Sequence, residues 1–254
     1  MRGDGSRLEP MIRRLDRLAP LRQADRETLL ALPHHIRACP ASQYLVRDGD
    51  EPDQCCLLLS GFAYRHKVTG EGARQIISIH MASEFVDLQN IFLDLSDHSV
   101  QALTEAEIAF VPRRALRDVA LSSPAIGRAL WIETLIDASI FREWVVNVGR
   151  RDSRSRVAHL LCEFSLRLEA AGLARDHCYE LPMTQEQLAD TVGLTPVHVN
   201  RVLRQLGEEG LIERDRRSIR IVDWSRMRNA GDFNERYLHH QLAGLAGASP
   251  GQAP

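Results

Sequence analysis

The spacing of apolar residues changes character twice along the chain. Residues 7–32 read as helical: RLEPMIRRLDRL breaks at Ala19-Pro20, and ADRETLLAL follows with Asp25 placed as its N-cap. From about 34 to 112 the pattern shortens. QYLVRDGD, CCLLLSGFAYRHKV, RQIISIH, HSVQAL and AEIAFVP are separated by Gly, Asp and Pro, which predicts a small all-β domain of roughly eight short strands. Gly49, Gly61, Gly70 and Gly72 punctuate its turns. From 113 the helical period returns. RRALRDVALSS predicts a short helix ending before Pro124, and PAIGRALWIETLIDASIFREWVVNVGRR continues for about 25 residues with Gly127 as its one breaker. Ile126, Leu130, Ile136, Ile140, Trp144 and Val148 recur along it at mixed three- and four-residue steps. A helix of ~37 Å outruns what a small domain covers, so the stripe reads as a dimerisation surface, with burial inside one chain as the alternative.

Gly149 and RRDSRSR form a joint, after which Asp152 or Ser153 can cap a helix over RSRVAHLLCEFSLRLEAAG that stops at Gly172. Residues 173–180 read as a loop. The block LPMTQEQLADTVGLTPVHVNRVLRQLGEEGLIERDRRSIRIVDW has the layout of a winged helix-turn-helix. Thr184 caps a first short helix that faces Leu188, Ala189 and Val192 inward. Gly193 supplies a turn suited to positive φ, and Thr195 caps a second helix with Pro196 at its first position. Val199, Val202 and Leu206 form the inner face of this second helix. Val197, His198, Asn200, Arg201 and Arg204 form its outer face, placed to enter a major groove. Arg201 suits guanine O6 and N7, and Asn200 suits adenine N6 and N7. Two short strands, Leu211 to Arg214 and Ser218 to Val222, then flank Asp215-Arg216-Arg217. Four Arg and one Asp between 214 and 220 give the hairpin a net +3 to set against phosphate. Thr184, Gln185, Thr195, Arg216 and Arg217 complete the expected DNA-binding set. The sequence after about 243, AGLAGASPGQAP, reads as a disordered end.

Composition narrows this picture. The 254 residues are 44% hydrophobic and 26% charged, enough for one or two domains with their own cores. The N-terminus is charged throughout and no run of 18 apolar residues occurs, which argues against a secretory signal and a membrane span and for a cytoplasmic protein. With 32 Lys+Arg against 34 Asp+Glu the net charge is −2, so DNA binding has to come from a local patch. The five cysteines, at 39, 55, 56, 162 and 178, include no C-x-x-C, so neither a disulfide framework nor a metal site is indicated. As strand neighbours, Cys55 and Cys56 point to opposite faces, which suits packing. No G-x-S-x-G, P-loop, Rossmann fingerprint or H-E-x-x-H is present, and His34-His35 and His239-His240 read as surface pairs, which argues against an enzyme.

The order of β-segments, long helix and winged helix-turn-helix resembles the Crp/Fnr family of bacterial transcription regulators. The resemblance covers roughly residues 20–225. It is most specific in QEQLADTVGLTPVHVNRVLRQLGEEGLI and weaker in LLLSGFAYRH, ASEFVDLQNIF and AEIAFVP. It implies an α+β protein with an N-terminal, cyclic-nucleotide-binding-like jelly-roll domain (a β-roll), a dimerisation helix and a C-terminal winged helix-turn-helix that reads palindromic promoter sites. The corresponding divisions are N-terminal helices at 1–32, β-roll at 33–123, dimerisation helix at 124–150, DNA-binding domain at 151–228 and tail at 229–254. Double-stranded DNA and a second copy of the chain are the implied partners, with RNA polymerase added by the resemblance. Cyclic-AMP binders of the family carry G-E-L and then Arg-Ser or Arg-Thr. Here those stretches read Asp87-Leu88-Gln89 and His98-Ser99, so Leu88 stands for the ribose-binding Glu and His98 for the phosphate-binding Arg. Asp87, Leu88, His98 and Ser99 therefore mark a candidate effector pocket from which cyclic AMP has lost its anchors. No cysteine precedes Cys39, which argues against the family's iron–sulfur cluster. Many members have Glu where Val197 stands, so the half-site read here is expected to differ. A sensor of the same fold, for a small molecule or haem, with DNA binding subordinate is the competing reading.

Overall fold

The computed structural model describes residues 5–240. The described residues form two compact units, one from 5–65, 79–140 and 238–240, the other from 66–78 and 141–237.

The first unit begins with α1 (Glu9–Leu18) and α2 (Gln23–Leu30). Seven strands follow along the chain, residues 66–78 of β4 and β5 being counted with the second unit: β1 (His35–Cys39), β2 (Tyr44–Val46), β3 (Gln54–Ser60), β4 (Phe62–Val68), β5 (Arg74–Met81), β6 (Ser99–Ala102) and β7 (Ala106–Pro112). They form two sheets, in the orders β1-β7-β3 and β2-β6-β4-β5. Seven strands stand where about eight were expected, and an isolated bridge between Leu57 and Phe85 adds a local pairing. Strand β1, HIRAC, escapes the sequence pattern, because its mostly exposed residues lack both alternation and an apolar run. Then come α3 (Arg113–Ser122) and α4 (Pro124–Arg150), as the pattern predicts.

Strand β3 shows how one sequence serves two cores. Cys55 and Leu57 face the helices, joining Met11, Ile12, Leu15 and Ile126. Cys56 and Leu58 face the other way, joining Val86, Val100, Ile108 and Phe110 between the sheets. The period-2 alternation of a strand makes that division. Burial pushes both thiols well above the usual cysteine range, so they pack as neutral groups.

Two local expectations change. Asp25 does not sit at the N-cap of α2; Arg22 does, and Asp25 caps from three residues on, accepting the Arg22 N–H at 3.0 Å and the Ser123 hydroxyl at 2.6 Å. His34, expected at the surface, is buried with Nδ1 2.9 Å from the Leu32 carbonyl oxygen.

Helix α4 brings the larger correction. Ile126, Leu130 and Trp144 of the expected partner-facing stripe are buried within their own chain, and Ile126 and Leu130 belong to the α1–β3 core. The apolar residues that α4 leaves exposed are Trp131, Leu135, Phe141, Val145 and Val146. Periodicity found the amphipathic helix but could not say which of two apolar faces its own domain would take.

The second unit contains α5 (Ser153–Ala170), β8 (Cys178–Glu180), α6 (Gln185–Val192), α7 (Pro196–Glu208), β9 (Ile212–Asp215), β10 (Ser218–Ile221) and α8 (Trp224–Ala230). Asp152 caps α5, accepting the Ser155 N–H at 2.9 Å. The expected loop at 173–180 contains β8, whose three residues pair with β10 and are too few to show a period. Inside this unit the Glu163 carboxylate is fully buried. It accepts hydrogen bonds from Trp144 Nε1 (2.9 Å), the Tyr237 hydroxyl (2.8 Å) and Arg167 Nη1 (3.1 Å). Three donors compensate a charge that would otherwise cost several kcal/mol to bury. Gly231 lies so close to α5 that a Cβ there would sit 2.7 Å from the His159 nitrogen, so only glycine fits. Of the segment assigned as a tail, Phe233 and Tyr237 are buried; the stretch after about 243 lies outside the described residues. No helix among the described residues is long and apolar enough to cross a membrane.

Candidate nucleic-acid interface

Helices α6 and α7 owe their positions to short local signals. Thr184 and Gln187 form a reciprocal cap at the start of α6: the Gln187 N–H donates to Thr184 Oγ1 (3.2 Å) and the Thr184 N–H to Gln187 Oε1 (2.8 Å). Leu188, Ala189 and Val192 are buried, as their spacing predicts. Gly193 then takes φ +64°, a left-handed turn that a side chain would strain and crowd against Val148. Thr195 caps α7 by accepting the His198 N–H at 3.3 Å, and Pro196 opens the helix. Val199, Val202, Leu203 and Leu206 are buried on its inner side.

Ion pairs hold this pair of helices within its unit. Arg154 of α5 grips Glu209 at the end of α7 with Nε 3.1 Å from both carboxylate oxygens. Arg74, from the β4–β5 hairpin, lies 2.7 Å from Asp190 of α6, and Gln75 donates to the Thr191 carbonyl at 3.1 Å.

On the outer side Thr184, Gln185, Thr195, Val197, Arg201 and Arg204 are exposed, and His198 and Asn200 are half-buried. The Asn200 amide donates to Gln185 Oε1, which joins the starts of the two helices. The wing strands run Ile212–Asp215 and Ser218–Ile221, a residue shorter at the outer ends than expected; Asp215, expected in the turn, pairs with Ser218, which leaves Arg216 (φ +51°) and Arg217 as the turn. A cavity of about 200 Å³ lies between helix and wing, lined by Thr184, Gln185, Leu203, Arg214, Arg216 and Arg217. The fold thus brings the first turn of α6 and the wing tip to one cleft, with three guanidinium groups around it. Three guanidinium groups around one cleft suit a polyanionic partner. Sequence alone does not single out Arg214, and the Gln185–Asn200 bond joins residues 15 apart for which no spacing rule exists.

Of the candidate effector residues, Asp87, Leu88 and His98 are buried and Ser99 is half-buried. Asp87 is fully buried and accepts the Cys56 N–H at 2.7 Å. Leu88 packs in the α1–β3 core. His98 lies between Asp97 (2.7 Å from Nδ1) and Gln89 (3.3 Å from Nε2), and burial lowers its pKa. The Ser99 hydroxyl accepts the Asp48 N–H at 3.1 Å. What sequence missed is Arg65. Its guanidinium donates to the Val86 carbonyl (2.7 Å) and to Asp137 of α4. Arg14, nearby in the same unit, bridges Glu133 (2.9 Å) and Glu84 (3.2 Å). No group of three or more potential metal ligands occurs among the described residues.

Burial raises the Asp87 pKa to about 6. The folded protein therefore binds this proton between the ordinary value of 3.8 and about 6, where the unfolded chain has lost it. The resulting stability is present at low pH and is lost as pH rises through that window. Asp87→Asn keeps an acceptor for the Cys56 N–H without the charge. Urea unfolding should find it more stable than the parent by about 2–3 kcal/mol at neutral pH, with the gap closing toward pH 4. A gap independent of pH contradicts the assignment.

An arginine-tipped wing beside an exposed recognition helix, in a chain that also holds a β-rich unit, defines a DNA-binding transcription regulator. Family models agree on both halves: residues 36–123 match the cyclic nucleotide-binding domain and residues 155–230 the Crp-like helix-turn-helix domain. The chain is 28% identical over 223 residues to the transcriptional activator protein FnrL of Cereibacter sphaeroides, covering 84% of this chain and 88% of that one. It is also 28% identical over 193 residues to the nitrogen fixation regulation protein FixK of Rhizobium meliloti, covering 75% and 84%. Among solved structures, FixK2 from Bradyrhizobium japonicum shares the fold, with a TM-score of 0.72 at 22% identity over 78% of this chain and 98% of that one. The chain belongs to the Crp/Fnr family of transcription regulators.

Proposed function

We propose that the protein acts as a homodimer on an operator of two inverted half-sites, each read by one copy of α7 from the major groove. The observation that carries this reading is the division of α7 itself. Val199, Val202 and Leu206 are buried, while Val197, Arg201 and Arg204 stand exposed beside the arginines of the wing. The exposed Trp131 and Leu135 of α4 supply the apolar surface for the second copy. In the β-roll, cyclic AMP finds no anchor: His98 is held by Asp97 and Gln89, Leu88 is committed to the core, and the Arg65 guanidinium already has a carboxylate. Relatives named as transcriptional activators support contact with RNA polymerase as the output. Selection from random duplexes with the full chain tests the reading. It should return an inverted repeat with half-site centres about one helical turn apart. Enrichment of a lone half-site, or of no motif, overturns it.

A further inference from the structure

The outer face of the recognition helix begins with a valine, and its surroundings say what that side chain is free to do. Val197 is 81% exposed, more than any other large hydrophobic residue among those described. It adds nothing to the inner face of α7, which Val199, Val202 and Leu206 occupy. A lone exposed valine is ordinary on a protein surface. This one stands at the second position of the helix whose outer face reads DNA, on the same face as Arg201 one turn further on.

The chemistry of the groove then limits its partner. Base edges in the major groove present donors and acceptors, which a valine cannot pair, and one apolar group, the 5-methyl of thymine. Valine is stiff at χ1, so its two methyls form a fixed surface that needs little ordering on contact. Its polar neighbour does not compete. Asn200 is tied to Gln185, which holds both amides at the junction of α6 and α7. Four residues of helix span about 6 Å, close to two base-pair steps.

We propose that Val197 reads the 5-methyl group of a thymine within two base pairs of the guanine read by Arg201. This assignment rests on the operator-binding reading given above, and its test separates the two. In the selected operator each thymine is replaced singly, in both half-sites, by deoxyuridine, which removes the methyl and leaves every hydrogen-bonding group. Affinity of the full chain is followed by fluorescence anisotropy. One position should weaken binding about fourfold per half-site, the loss of one buried methyl, or about 15-fold for both. Val197→Ala should bind the thymine and uracil operators alike, whereas Arg201→Ala should still distinguish them. If a motif is selected and no thymine responds, or if Val197→Ala keeps the full response, the assignment to Val197 falls and the operator reading stands. If no motif is selected, both fall.

Discussion

Replacing Trp131 and Leu135 together by glutamate should convert the protein to a monomer and weaken binding to a two-half-site operator at least about 100-fold. The reasoning starts from exposure. Trp131 is 63% exposed and Leu135 48%, one turn apart on α4. Two such helices brought together bury large apolar side chains, with tryptophan contributing the most area. A glutamate pair facing its symmetry mate adds like-charge repulsion to the lost burial. The DNA effect follows from tethering: once one half-site is bound, the dimer presents the second recognition helix at high effective concentration, which a monomer forfeits. Sedimentation velocity at micromolar concentration reads the first outcome and operator titration the second. Leu130→Glu makes an informative contrast. Leu130 is 4% exposed and packed in the α1–β3 core, so this change should lower the unfolding midpoint rather than only separate the copies. A monomeric parent protein, or a dimeric Trp131→Glu/Leu135→Glu variant, removes α4 as the interface.

The second large effect is expected at Arg201. Its side chain is exposed on the reading face, and a bidentate contact to guanine is worth about 1–3 kcal/mol in each half-site. Arg201→Ala should therefore weaken the selected operator strongly and relax preference at one position per half-site. Arg217→Ala should behave differently. It lies at the wing tip beside Arg216 and Arg214, where pairing with phosphate carries no sequence information. It should weaken all duplexes alike and flatten the salt dependence by about one unit for each phosphate no longer neutralised. Sequence preference unchanged in Arg201→Ala, or a base-specific loss in Arg217→Ala, contradicts these roles.

The winged helix-turn-helix was legible because each of its parts has a local cause. Thr184 and Thr195 are caps, Gly193 a left-handed turn and Pro196 a helix opener, and all four act through residues within a few positions of themselves. The two faces of β3 were legible for the same reason, since strand alternation is local. Features set by distant pairings were not. Strand β8 exists because β10 lies beside it, and Arg65 meets Asp137 across 72 residues. The face of α4 taken by the chain's own core depends on where α1 and β3 lie, information its period does not carry.

The DNA-binding unit is not a portable cassette. Its residues come from two separated stretches, 66–78 and 141–237. Arg74 braces α6 from the first, and Tyr237 completes the buried Glu163 site at the end of the second. A fragment trimmed to 151–228 omits both, together with Trp144, and leaves Glu163 with one of its three donors. Grafting this unit onto another protein means carrying the hairpin, the end of α4 and the C-terminal turn along with it. On the ribosome, the same unit stays incomplete until Tyr237 has emerged.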